Sequence, residues 1–257
     1  MPYTEKEAGR TFYTRHRSRM DDAVATLLIH GAGGNHLHWP RALRTLPEAD
    51  VYALDLPGHG RSGSEGRKSI QAYVGSILGF MSAVGLQSVV PVGHSMGSAI
   101  ALTLALRLPE RVRGLVLVGS GARLRVLPAI LDGLLQDFES TVETVVEYCY
   151  GSGMAEQTKR LAVGQMLEIE PRVVHGDFTA CDTFDVMDIL ETLRTPTLII
   201  TGAEDLMTPP KYARYLAEHI RDSRLTIVEG AGHMVMLERP ELVARIIGEF
   251  LSGLRDH

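Results

Sequence analysis

Short apolar runs bounded by glycine and proline alternate along this chain with longer segments whose apolar residues recur at helical spacing. The β-prone tract from Gly9 to His16 reads as an opening edge strand. Apolar runs follow at Ala25 to His30, Val51 to Leu56, Val89 to Val92, Leu115 to Val118, Thr197 to Ile200 and Leu225 to Val228. Such unbroken runs suit strands covered on both faces. Trp39, Leu43 and Leu46 suggest a short helix after the run at Ala25 to His30. Ile70, Tyr73, Val74, Ile77, Leu78 and Met81 mark a longer helix, with Ser69 as its cap and Gly85 as its stop. The segment from Ser98 to Leu106 reads as a buried helix. Strands alternating with helices imply right-handed crossovers and a mainly parallel sheet.

The alternation fails between Gly121 and Pro196. Ile130, Leu131, Leu134, Leu135 and Phe138 fall on one helical face there. Val142, Val145, Val146 and Cys149 lie opposite Glu139, Glu143 and Glu147, an acidic stripe that suits a solvated face. Residues 122–192 are therefore expected to form a helical cap inserted into a core domain of residues 1–121 and 193–257.

Composition narrows the function classes. A chain of 257 residues with 45% hydrophobic content has ample material for one α/β core. A net charge of −5 gives no basic footprint for nucleic acid. No apolar run is long enough to span a membrane, and residues 1–20 lack the apolar centre of a secretion signal. Two cysteines, Cys149 and Cys181, are too few for a disulfide framework, so a cytoplasmic, reducing setting is expected.

The candidate chemistry centres on Gly93-His94-Ser95-Met96-Gly97, set between an apolar strand and a buried helix. Glycines two residues either side of a serine allow a turn so tight that other side chains would clash, and the hydroxyl is pushed into open space. A serine nucleophile needs a base and a group that orients the base. In open α/β sheets these follow strands directly. Asp205 follows the strand at 197–200, with Glu204 as a competing carboxylate, and His233 follows the strand at 225–228. The order Ser95, Asp205, His233 is the one expected with such an elbow. Thr208 and Pro209 read as an N-cap and first helical residue. Oxyanion donors are expected at the backbone N–H of Met96 and, from the early glycine loop, of Ala32.

His94, Phe178, Met207 and Met234 are candidate pocket residues, in a wall rich in adaptable methionine. His59 and His94 are expected to be structural; His36 and His38 flank the early loop, where facing the pocket is the alternative and facing solvent the stronger expectation. His175, Asp177 and Asp182 fit no trusted metal spacing, so no metal and no cofactor are expected. Arg123 and Arg125, at the cap entrance, are read as surface charge, with the holding of a substrate carboxylate as the alternative.

Taken together, His30-Gly31-Ala32-Gly33-Gly34, Asp55-Leu56-Pro57-Gly58-His59-Gly60-Arg61-Ser62, Gly93-His94-Ser95-Met96-Gly97, Gly202-Ala203-Glu204-Asp205 and Gly230-Ala231-Gly232-His233 resemble the signatures of the α/β-hydrolase superfamily, in family order. The resemblance covers about residues 24–250. It implies the α/β-hydrolase fold, an eight-stranded sheet with one antiparallel strand near its start. It also implies a capped serine esterase acting on a small-molecule ester. Carbon–carbon hydrolase or enol-lactonase chemistry and non-catalytic ligand binding stay open, because fold does not fix function.

Overall fold

The computed structural model describes residues 3–6 and 9–255. Among them one sheet contains β1 (Tyr3–Lys6), β2 (Gly9–His16), β3 (Val24–Ile29), β4 (Ala49–Leu54), β5 (Val90–His94), β6 (Leu115–Val118), β7 (Thr197–Gly202) and β8 (Ser223–Val228). Their spatial order is β1-β2-β4-β3-β5-β6-β7-β8. β2 runs antiparallel to both of its neighbours, and every other pairing is parallel. β1 was not expected from its polar sequence. It exists through its register on β2, where the Tyr3 and Phe12 rings meet edge to face at 5.2 Å.

The helices are α1 (Arg41–Arg44), α2 (Ile70–Ala83), α3 (Met96–Arg107), α4 (Pro128–Gln136), α5 (Phe138–Cys149), α6 (Glu156–Leu167), α7 (Pro171–Asp182), α8 (Pro210–His219), α9 (Val235–Glu238) and α10 (Pro240–Gly253). No helix among the described residues is long and apolar enough to cross a membrane. The strand period of two sorts the core. Leu27 and Ile29 belong to the buried cluster that also holds residues of α2, α3 and α8, whereas Leu28 belongs to the cluster of α1 and α10. Ser69 caps α2 by accepting from the Ala72 amide, and Gly85, at φ 75°, turns the chain out of that helix.

The turn from β5 into α3 is steric in origin. A Cβ on Gly93 would run into the Gly97 carbonyl, and one on Gly97 into the carbonyls of Ile29 and His30. Ser98 ties the turn to β6, donating to the Gly93 carbonyl at 2.7 Å and accepting from the Val118 amide at 3.2 Å.

Four helices, α4 to α7, occupy the chain between β6 and β7. Val142, Val145 and Val146 are buried and Glu139, Glu143 and Glu147 exposed, as amphipathicity requires. Leu135 departs from the expected apolar face. It is 56% exposed, and the short α4 buries only Leu134 fully.

A buried carboxylate fastens this insertion to the core. Asp177, on α7, accepts from His59 Nε2 at 2.8 Å, from the Gly33 amide at 2.9 Å and from the Tyr73 hydroxyl. The other ring nitrogen of His59 faces the Pro57 carbonyl at 3.0 Å. Both nitrogens thus meet acceptors, and only the doubly protonated ring can donate to both. Burial disfavours that charge, but the Asp177 carboxylate outweighs it and leaves the His59 pKa above the ordinary histidine value.

Two predictions follow from these contacts. Gly97→Ala should cost roughly 3 kcal/mol, whereas Gly75→Ala, on the open face of α2 with nothing within 4 Å, should gain about 0.5–1 kcal/mol. Urea denaturation of both variants checks the contrast. A raised His59 pKa means that the pair stabilises fully on the acid side and fades as pH rises through the folded-state value. The stability gap between the parent and His59→Gln should therefore be wider at about pH 6 than at about pH 9, and a gap independent of pH would show a neutral ring.

Candidate active site

Ser95 sits at the tip of the β5–α3 turn with φ 53° and ψ −117°, a left-handed conformation that costs a non-glycine residue energy. The surrounding contacts maintain it. The Ser95 amide donates to the Val118 carbonyl at 2.9 Å, and Gly31 lies so close that a Cβ there would stand 3.1 Å from the Ser95 Cβ. The side chain is held at the floor of a cavity of about 890 Å³, mouth included.

Asp205 and His233 come from the ends of β7 and β8. The Asp205 side chain is buried and accepts three hydrogen bonds: from the Thr208 amide at 2.8 Å, the Thr208 hydroxyl at 2.9 Å and His233 Nδ1 at 2.9 Å. The carboxylate demands a proton on Nδ1, so the Nε2 of a neutral ring carries the lone pair. His233 and Ser95 line the same cavity. The Ser95 hydroxyl makes no hydrogen bond to a described residue, which is common in unliganded sites whose contacts tighten on substrate.

Glu204, the competing carboxylate, faces elsewhere. It is partly exposed and accepts from the amide and hydroxyl of Ser152, which hold its pKa below the usual carboxylate range. Thr208 does not cap a helix. α8 starts at Pro210 after Pro209, and the Thr208 hydroxyl serves Asp205, with His233 Nδ1 also 3.3 Å away.

The two backbone amides expected to hold an oxyanion are free. Met96 is the first residue of α3, so its N–H has no intrahelical acceptor, and neither it nor the Ala32 N–H donates to a described residue. Ala32 lines the cavity, whereas the Met96 side chain is buried in the core and only its backbone is relevant.

His94, Phe178, Met207 and Met234 all line the cavity, joined by Val145, Met166 and other apolar groups of the insertion. Met236 and Phe184 are core residues. His94 Nε2 donates to the His233 carbonyl at 3.0 Å, and the two rings stand 4.7 Å apart. Burial, with the His233 ring beside it, keeps the His94 pKa well below the ordinary value, so it holds the loop as a neutral ring.

His38 corrects its expectation. It lines the cavity, and burial lowers its pKa to about 4. His36 also differs, being half-buried and bonded to Asp55 at 2.7 Å. Arg125 reaches the cavity rim but stays largely exposed. Both it and Arg123 lie within 4 Å of Asp185, at 3.9 and 3.8 Å.

Cys149 and Cys181 also line the cavity. Burial pushes the Cys149 thiol up to about 12 and raises Cys181 as well, so neither supplies a thiolate near neutrality. Sequence reasoning passed over Glu238. Its carboxylate accepts from Gly232 at 2.9 Å and Gly151 at 3.0 Å, pinning the His233 loop to the α5–α6 connection.

Known proteins share this framework. An esterase acting on pimeloyl-[acyl-carrier protein] methyl ester in Neisseria meningitidis serogroup C is 29% identical over 263 residues, covering 93% of this chain and 98% of that protein. The structure of a thermophilic esterase matches 98% of this chain and 97% of its own at a TM-score of 0.86 with 32% identity. The enol-lactonase of Burkholderia xenovorans LB400 superimposes with a TM-score of 0.89, over 98% of this chain and all of its own, at 22% identity, a likeness of fold alone. The family model for the alpha/beta hydrolase fold matches residues 25–240, which span the elbow, the acid loop and the histidine loop, and the chain belongs to that family.

Proposed function

We propose that this protein hydrolyses carboxylic esters of small to medium apolar acyl groups through an acyl-enzyme on Ser95. The observation that carries the reading is the buried Asp205–His233 hydrogen bond at 2.9 Å beside the cavity that Ser95 floors. The esterases among the relatives support the same class of reaction.

Ser95 Oγ attacks the ester carbonyl carbon while His233 Nε2 removes its proton. Asp205 holds the ring and stabilises the imidazolium that forms. Negative charge gathers on the former carbonyl oxygen, where the Ala32 and Met96 amides meet it. As the tetrahedral centre collapses, His233 returns the proton to the departing alcohol. Water then attacks the acyl group with His233 again as base, releasing the acid and restoring Ser95. The helical insertion acts as a cap: α5, α6 and α7 supply the apolar wall that receives the acyl chain.

Ser95→Ala should lower kcat on p-nitrophenyl esters by more than about 10⁴-fold, and Asp205→Asn by about 10³- to 10⁴-fold, because the amide favours the wrong tautomer of His233. Steady-state assays check both, and Ser95→Ala turnover above a few per cent of the parent would contradict the mechanism. Met166→Trp fills the wall beside Gly33. It should cut kcat/KM for an octanoyl ester at least about 10-fold more than for an acetyl ester. An equal loss on both esters would place the acyl chain elsewhere.

A further inference from the structure

The second amide of the oxyanion site belongs to a loop that the core holds on one side, at the Gly31 carbonyl, and the insertion on the other, at the Gly33 amide. Gly33, next to Ala32, takes φ 61° and gives its N–H to Asp177 at 2.9 Å. That carboxylate lies 144 residues further along, on α7 of the insertion, and is fully buried. Met166, on α6, packs where a Gly33 side chain would be, 3.0 Å from the position of its Cβ. On its other sides Asp177 is fixed by the His59 imidazolium and the Tyr73 hydroxyl, both anchored in the core. His59 in turn stands 5.0 Å from the ring of His30, and His30 Nδ1–H donates to the Gly31 carbonyl at 2.8 Å. The loop is therefore gripped on both sides of Ala32, at Gly31 and at Gly33.

We propose that Asp177 is a positioning residue for catalysis: by holding the Gly33 amide it aims the Ala32 N–H at the oxyanion, so that the site is complete only with α7 seated. The Ala32 N–H shares its peptide plane with the Gly31 carbonyl, and the next plane, which carries the Gly33 N–H, joins it at the Ala32 Cα, so holding the carbonyl on one side and the Gly33 N–H on the other leaves the Ala32 amide little freedom. A donor fixed in advance stabilises charge without reorganising at the moment of reaction. A carboxylate held by an imidazolium and two further donors is a stiffer anchor than a neutral group. The inference rests on the Ser95 mechanism above and adds a second task to a residue that otherwise only fastens the insertion.

The test is Asp177→Asn. The amide keeps the size of the group but cannot satisfy all three donors as an acceptor. In the folded variant kcat should fall about 10- to 100-fold, less than the loss of a whole oxyanion donor, with KM within about threefold. Affinity for an aryl trifluoromethyl ketone, which forms a tetrahedral oxyanion on the serine, should fall by the same factor as kcat/KM. Affinity for the matching unreactive carboxamide should not change. Unchanged kcat, or a rise in KM with both inhibitors weakened equally, would reduce Asp177 to a fastening of the insertion and overturn the proposal. Hydrogen exchange on the unaltered protein decides independently of how the variant folds. The Gly33 amide should exchange at least about 10³-fold more slowly than an open loop amide, as a firmly held donor does, and free exchange there would overturn the proposal. Failure of the Ser95 mechanism shows separately, as turnover retained in Ser95→Ala, a variant that leaves Asp177 untouched.

Discussion

A carboxylate taken out of water persists only if donors replace the solvent. Asp205 meets that condition with three, and the third is the imidazole of His233. Much of the molecule can be read as the scaffold for that meeting. β7 and β8 are paired in parallel, Thr197 to Gly202 against Ser223 to Val228, so their ends come out side by side. The loops beyond them therefore start from neighbouring points. Gly202 permits the close approach, since a Cβ there would strike the Ala231 and Gly232 carbonyls. Thr208 then turns the carboxylate toward the ring.

The serine is brought to the same rim by a different constraint. Its position depends on two places without side chains, Gly93 and Gly97, and on the carbonyls that crowd them. The elbow and the carboxylate–imidazole pair are thus independent solutions in chemistry, one steric and one electrostatic. They share only the sheet, whose parallel strands deliver all three residues to one edge. The insertion completes the arrangement in two places. Glu238 links the histidine loop to the α5–α6 connection, and Asp177 links the glycine loop to α7.

Legibility in the sequence followed the range of the interaction. β3, β5, β6 and β7 announced themselves because burial on both faces leaves an apolar run. α2 did so through its period and its Ser69 cap. Ser95, Asp205 and His233 could be singled out as candidates because each follows a strand within a short glycine-bearing turn. What escaped were contacts between distant polar residues. Asp177 meets Gly33 and His59 across more than 100 positions, and no local pattern marks a carboxylate that will be buried. Thr208 misled for a related reason. A threonine before proline carries a cap signal, and only the fold shows its hydroxyl committed to Asp205. His38 looked solvent-facing because the single 3-10 turn that carries it, His36 to His38, is too short to display a face, yet the cavity wall includes it.

The proposed reaction makes one hydroxyl, and no thiol beside it, the attacking group. Intact-protein mass spectrometry after treatment with a fluorophosphonate, followed by peptide mapping, tests this most directly. A single adduct per chain is expected, on Ser95, and it should form at least about 10³-fold more slowly when His233 is replaced by alanine. An adduct on Cys149 or Cys181, or none on Ser95, would contradict it.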